Sequence, residues 1–122
     1  MPDALQIHRV KVGDGKPDED YFIKQAAIDT TAAGDTTIVT AVAGRRLRLI
    51  AQSFSVAAEV AIAWKSGAAT TLIPARTFKP GGGMDGNWGP HGFYCKTAAG
   101  EALVINLGGA VQVSGTINYI EE

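Results

Sequence analysis

Val111-Gln112-Val113-Ser114-Gly115-Thr116-Ile117-Asn118-Tyr119-Ile120 alternates apolar and polar side chains almost without a fault. Val111, Val113, Ile117 and Tyr119 share one face with Gly115 among them, and Gln112, Ser114, Thr116 and Asn118 share the other. A side-chain period of two belongs to a strand with one buried face, because successive residues of an extended chain point to opposite sides. This run therefore sets the class of the protein as all-β.

The same reading extends backwards through the chain. Tyr21 to Asp29 has extended character, Ala32-Ala33-Gly34-Asp35 turns, and Thr36 to Val42 is rich in β-branched residues that suit a pleated surface. Arg45 to Val56 is the longest such run, and its phase changes: Leu47 and Leu49 share one face, whereas Ile50, Phe54 and Val56 share the other. Two explanations stand side by side, a β-bulge or a strand buried on both faces against a neighbouring subunit. Val56, Ala58, Val60, Ile62 and Trp64 alternate strictly, so this alanine-rich stretch reads as strand against its helical composition. Thr70 to Phe78 is extended, with Pro74 marking an edge or a bulge because proline cannot donate to a ladder. Residues 81–92 read as a glycine-rich loop, Phe93 to Thr97 and Glu101 to Leu107 as strands, and Ala110 to Ile120 as the last strand. About eight strands at short spacing predict a single antiparallel β-sandwich or barrel. No helix is needed.

Length and composition agree with one domain. The chain has 122 residues, within the common single-domain range and enough for one core. Residues 1–20 are the exception. Leu5 and Ile7 belong to a short apolar stretch, followed by Gly13-Asp14-Gly15-Lys16-Pro17-Asp18-Glu19-Asp20. That segment is too polar and turn-rich to fold alone, so residues 1–20 read as an extended arm and 21–122 as the domain. Leu5 and Ile7 are its candidate contacts with a neighbouring subunit or another partner.

Charge bears on partners. The formal net charge is −1, from 11 basic and 12 acidic residues, which provides no field for a polyanion, so neither nucleic acid nor an anionic membrane is expected. Arg45, Arg46 and Arg48 are the one local excess, read either as a solvated strand end or as a contact patch for an acidic neighbour. The N-terminus lacks the apolar core of a signal peptide, and no stretch approaches the ~20 apolar residues of a membrane helix. Cys95 is the only cysteine. It reads as a packed side chain, without an intrachain disulfide or a nearby activating histidine, in a chain suited to a reducing compartment.

Catalytic constellations are scarce. His8 and His91 lie in unrelated segments and do not form the histidine–carboxylate set of a metal-dependent sandwich enzyme. His91 with Asp85 and Asn87 offers a single carboxylate, thin for calcium. The glycine loop leads into a strand and holds no lysine, unlike a phosphate cradle that opens a helix. No acidic residue sits in an aromatic, cleft-like segment as a glycosidase would need. The expectation is a non-enzyme with no metal and no cofactor. Within the loop, Met84 and Trp88 stand among residues without bulk. Trp88 either caps one end of the sandwich or, with Met84 and His91, forms an exposed anchor for a partner. Trp64 alternates with core positions and reads as core. Ala51, Ser53, Ala57, Ala61 and Ala63 suggest strand surfaces with little protective charge, which points to an oligomer that covers them.

From Arg45 onward the pattern resembles small jelly-roll structural proteins of tailed bacteriophages. The matching elements are Leu47-Arg48-Leu49-Ile50-Ala51, Trp64-Lys65-Ser66-Gly67, the glycine-rich loop, His91-Gly92-Phe93-Tyr94, Gly100-Glu101-Ala102-Leu103-Val104-Ile105 and Val113-Ser114-Gly115-Thr116-Ile117-Asn118-Tyr119. The resemblance covers about the last two-thirds of the chain and excludes the arm. It implies a jelly-roll-like sandwich and a place in the virion after synthesis in the host cytoplasm. The implied role is a capsid decoration (cement) protein, or else part of a tail or fibre. The alternative read from the residues themselves is a tail-fibre or spike module binding a host glycan, with Trp88, Tyr94 and His91 as the contact surface. The implied partners are further copies in a homotrimer and the major capsid protein or another virion protein. No functional residue is carried over from it.

Overall fold

The computed structural model describes residues 9–11, 20–89 and 92–122. Leu5, Ile7 and His91 lie outside the described residues, as does most of the arm. Within it, strand β1 (Arg9–Lys11) pairs antiparallel with the start of β2 (Asp20–Thr30). The remaining strands are β3 (Gly34–Val39), β4 (Leu47–Val56), β5 (Val60–Ser66), β6 (Thr70–Phe78), β7 (Gly83–Asn87), β8 (Cys95–Lys96), β9 (Leu103–Leu107) and β10 (Val113–Glu121). There is no helix among the described residues.

Two antiparallel sheets form a sandwich. One runs β1-β2-β10-β4-β7, with β8 also paired to β4, and the other runs β3-β9-β5-β6. Setting aside the short β1 and β8, the orders β2-β10-β4-β7 and β3-β9-β5-β6 are those of a jelly roll, an eight-stranded chain wrapped as two Greek keys. The core lies between the sheets. Ile28, Leu49, Val113 and Ile117 come from one, and Ile62, Trp64, Ile105 and Leu107 from the other.

β10 behaves as its alternation predicts, with Val113, Ile117 and Tyr119 in the core. Gly115 interrupts that face because Phe54 on β4 stands directly opposite. A Cβ at Gly115 would overlap the Ser53 carbonyl and the Phe54 backbone. The phase change in β4 is a bulge. Tyr119 pairs with Leu49 and Asn118 with Ala51, which leaves Ile50 as the extra residue. Leu47 and Leu49 before it, and Phe54 and Val56 after it, all reach the main core, while Ile50 joins Ile120 and Ile23 in a separate cluster. Ile50 therefore does not share the face of Phe54, as its spacing suggested. Pro74 is both on an edge strand and in a bulge, since Pro74 and Ala75 together oppose Ala63.

Three expectations are corrected. The alternation through Val56–Trp64 is not one strand: β4 ends at Val56 and β5, in the other sheet, begins at Val60. Residues 81–92 are not one loop, because Gly83–Asn87 pairs with β4 as β7. Ala51 and Ser53 lie on β4 and Ala61 and Ala63 on β5, both interior strands, so they leave no open edge.

Candidate functional site

The bulge in β4 does more than change the face of its side chains. β7 follows the edge of β4 from Ser55 to Ala51, and β8 resumes along that edge at Leu49 and Arg48. Between them the chain makes an excursion that hangs from two successive carbonyls at the bulge. Trp88 N–H donates to the Ile50 oxygen and Tyr94 N–H to the Leu49 oxygen, each at 2.7 Å. Asn87 starts the excursion by accepting the Gly89 N–H on its side-chain oxygen at 2.6 Å, an Asx-type turn completed by Gly89 at φ +75°. The loop is thus held at both ends, and it places Trp88, Phe93 and Tyr94 at one end of the sandwich.

Trp88 is 59% exposed and meets Tyr94 edge-to-face, ring centroids 6.1 Å apart. Tyr94 lies over Gly86, where a Cβ would overlap its hydroxyl. Phe93 is 43% exposed. Lys96 Nζ stands 5.2 Å from its ring centroid and the Arg48 guanidinium 5.9 Å, within cation–π range.

Behind this rim the two sheets are open. β6 and β7 are the last strands of their sheets on the same side of the sandwich, and no ladder joins them. The gap is bridged by side chains: Phe54 packs edge-to-face on Phe78 at 5.3 Å, and Arg76 Nη1 reaches to 3.9 Å from the Met84 sulfur. The space left is a cavity of about 280 Å³. Phe54, Ile62, Ile73 and Phe78 supply apolar wall, Met84, Trp88 and Tyr94 stand toward the mouth, and Gln52 and Arg76 join the Tyr94 phenol as polar side chains of the described lining. Gln52 is only 3% exposed, and its side-chain oxygen accepts the indole N–H of Trp64 at 3.0 Å. Such a cavity is chemically suited to hold an apolar group. Among the described residues, nothing in its lining is a carboxylate, a histidine or a nucleophilic thiol.

The predicted contact residues do not gather in one place. Met84 lines the cavity, half-buried on β7, and Trp88 stands exposed at its mouth rather than folded into the core. Arg45 and Arg46 are exposed in the turn before β4. Arg48 departs from the expectation of a solvated trio: it is 5% exposed, with Nε 3.4 Å from the Glu122 carboxylate, which Lys96 also approaches at 3.5 Å. Trp64 is buried as expected. Cys95 is buried on β8, and burial pushes its thiol up to about 12, far from the thiolate a nucleophile needs. Among the described residues no group of three or more His, Cys, Asp or Glu side chains is placed to hold a metal ion.

Gln52 and Arg76 were missed in the sequence. A faint signal existed for Gln52, an amide two residues before Phe54 and therefore on its inward face. Arg76 carried none, because an arginine two residues after an edge proline reads as solvated. No family model, curated protein or solved structure matches the chain.

Proposed function

We propose that this protein is a structural component of a tailed-bacteriophage virion. In this reading it is a decoration protein, bound as a homotrimer to the assembled capsid shell. The observation that carries the reading is a jelly-roll sandwich whose pinned end loop presents Trp88 and Phe93 to solvent. Large aromatic side chains held on a fixed backbone bury much area at little entropic cost when a partner covers them. The adjoining Lys96 and the exposed Arg45 and Arg46 add positive charge suited to an acidic partner. The mechanism is mass action: a protein that binds only the assembled shell stabilises it against every state it does not bind. Leu5 and Ile7 of the N-terminal arm serve in this reading as additional contacts to a neighbouring subunit or to the shell.

Imaging of purified particles tests this reading. Density for the sandwich on the outside of the shell is expected, and Trp88→Ala together with Phe93→Ala is expected to lower its occupancy. Absence of the protein from purified particles overturns it.

The pairing of Trp88 with Tyr94 favours one second reading, a fibre or spike module that stacks a host glycan on these rings. Glycan-array binding that is lost in Trp88→Ala, with the protein located in the tail, would select it.

A further inference from the structure

We infer that the cavity between β6 and β7 is a binding site for a small amphipathic carboxylate, with a body of on the order of ten heavy atoms in the cavity and its carboxylate at the mouth. This goes beyond a virion role and does not depend on it. The argument starts from the polar groups. The indole N–H of Trp64 is a donor only, so the Gln52 atom it meets must be the oxygen, and the Gln52 nitrogen is left with two hydrogens to donate. Gln52 is 97% buried as a residue, since 3% is exposed, yet its nitrogen is not among the fully enclosed unpaired polar atoms of the described residues and opens on the cavity. That donor meets water when no molecule is bound, so an acceptor on a bound molecule takes the place of that water.

Arg76 supplies the second donor. It projects from the edge strand across the mouth to Met84, and among the described residues no carboxylate lies within ion-pair distance of it. Among the described residues no carboxylate lines the cavity either. An aromatic and aliphatic chamber whose polar side chains at floor and mouth both offer hydrogens selects an apolar body carrying acceptors. One guanidinium at the mouth matches one carboxylate, which it can bind in a bidentate fork. The volume sets the size: about 280 Å³ is roughly nine water volumes.

The test uses the intrinsic fluorescence of the full chain, since Trp64 and Trp88 both line the cavity. Decanoate, decan-1-ol and decyltrimethylammonium are titrated below their aggregation limits, with calorimetry for stoichiometry. Decanoate is expected to saturate at one per chain, to bind roughly tenfold or more tighter than decanol, and the cationic amphiphile to show no saturation. Across the acids, affinity is expected to rise by about fourfold per methylene up to the length that fills the cavity and then to level off. Arg76→Gln, an exposed edge change, is expected to weaken decanoate by roughly tenfold or more while leaving decanol unchanged. Ile73→Trp should fill the cavity and abolish both, and Met84→Trp replaces it as the filling variant if it fails to melt cooperatively. No saturation with decanoate, equal binding of acid and alcohol, more than one site per chain, or indifference to Arg76→Gln would each overturn the inference.

Discussion

Trp64 and Gln52 are joined across the sandwich: the indole of a β5 residue in one sheet donates at 3.0 Å to the amide oxygen of a β4 residue in the other. Both are buried, so the bond ties the sheets together inside an otherwise apolar core. Gln52→Leu leaves the indole N–H without an acceptor. The expected loss is about 1–3 kcal/mol, read as a lower urea midpoint at unchanged slope. In the double-mutant cycle with Trp64→Phe, a coupling near zero would contradict the bond.

Cys95 gives a prediction with a defined pH window. Burial raises its thiol from a usual 9.0 to about 12. Below pH 9 the thiol is protonated in both folded and unfolded chains and adds no slope. Between about 9 and 12 the unfolded chain loses a proton that the folded chain keeps, so stability falls as pH rises, by up to about 1.4 kcal/mol per unit. Tyr119 is also shifted upward by burial, so the comparison is with Cys95→Ala, whose alkaline slope should be shallower. At pH 8 the native thiol should resist a thiol reagent until urea unfolds the chain. Rapid labelling of the native protein would contradict the burial.

Asp35 acts at the other end of the pH scale. Its carboxylate accepts from Asn106 at 2.7 Å and from Lys65 at 3.1 Å, which hold it below its usual 3.8. Its stabilisation is present above that usual value and is lost as pH falls through the lowered one. Asp35→Asn should therefore lower stability slightly at neutral pH, a small effect as expected for an exposed site, and flatten the acid limb of the profile by the same amount. A profile identical to that of the unmodified protein would remove Asp35 from the account.

The sequence showed the strands and concealed where they change sheets. Val56 and Val60 keep one alternation although they belong to opposite sheets, because both point into the same core from opposite sides. A period of two reports which way a side chain faces and carries no information about which sheet holds it. β7 was hidden for a different reason. Gly83-Met84-Asp85-Gly86-Asn87 has no β-branched residue, and its strand geometry comes from pairing with β4. The phase change at Ile50 was visible, and of the two explanations open to it the bulge is the one the structure contains. The cavity was illegible, since its lining comes from residues as far apart as Gln52 and Tyr94 and from strands whose facing was hidden.

Gly86 connects this hidden strand to the exposed rim. The Tyr94 hydroxyl occupies the place a Cβ would take at Gly86, and Tyr94 in turn carries the edge of Trp88. The obstructing group is the tip of a side chain, so Gly86→Ala should displace Tyr94 and leave the backbone pairing of β7 intact. The expected cost is at the low end of about 1–3 kcal/mol, with a clear change in the tryptophan emission as Trp88 loses its neighbour. Gly115→Ala is the contrasting case, because there the obstruction is the Ser53 carbonyl and the Phe54 backbone of a central strand. Neither can move without parting β4 from β10, so its cost should exceed that of Gly86→Ala and show as a large fall in melting temperature. Gly89→Ala completes the series. It meets no atom, but its φ of +75° strains any residue with a side chain and should loosen the loop that holds Trp88. If Gly86→Ala lowers stability as much as Gly115→Ala, Tyr94 cannot yield, and the rim is part of the rigid core.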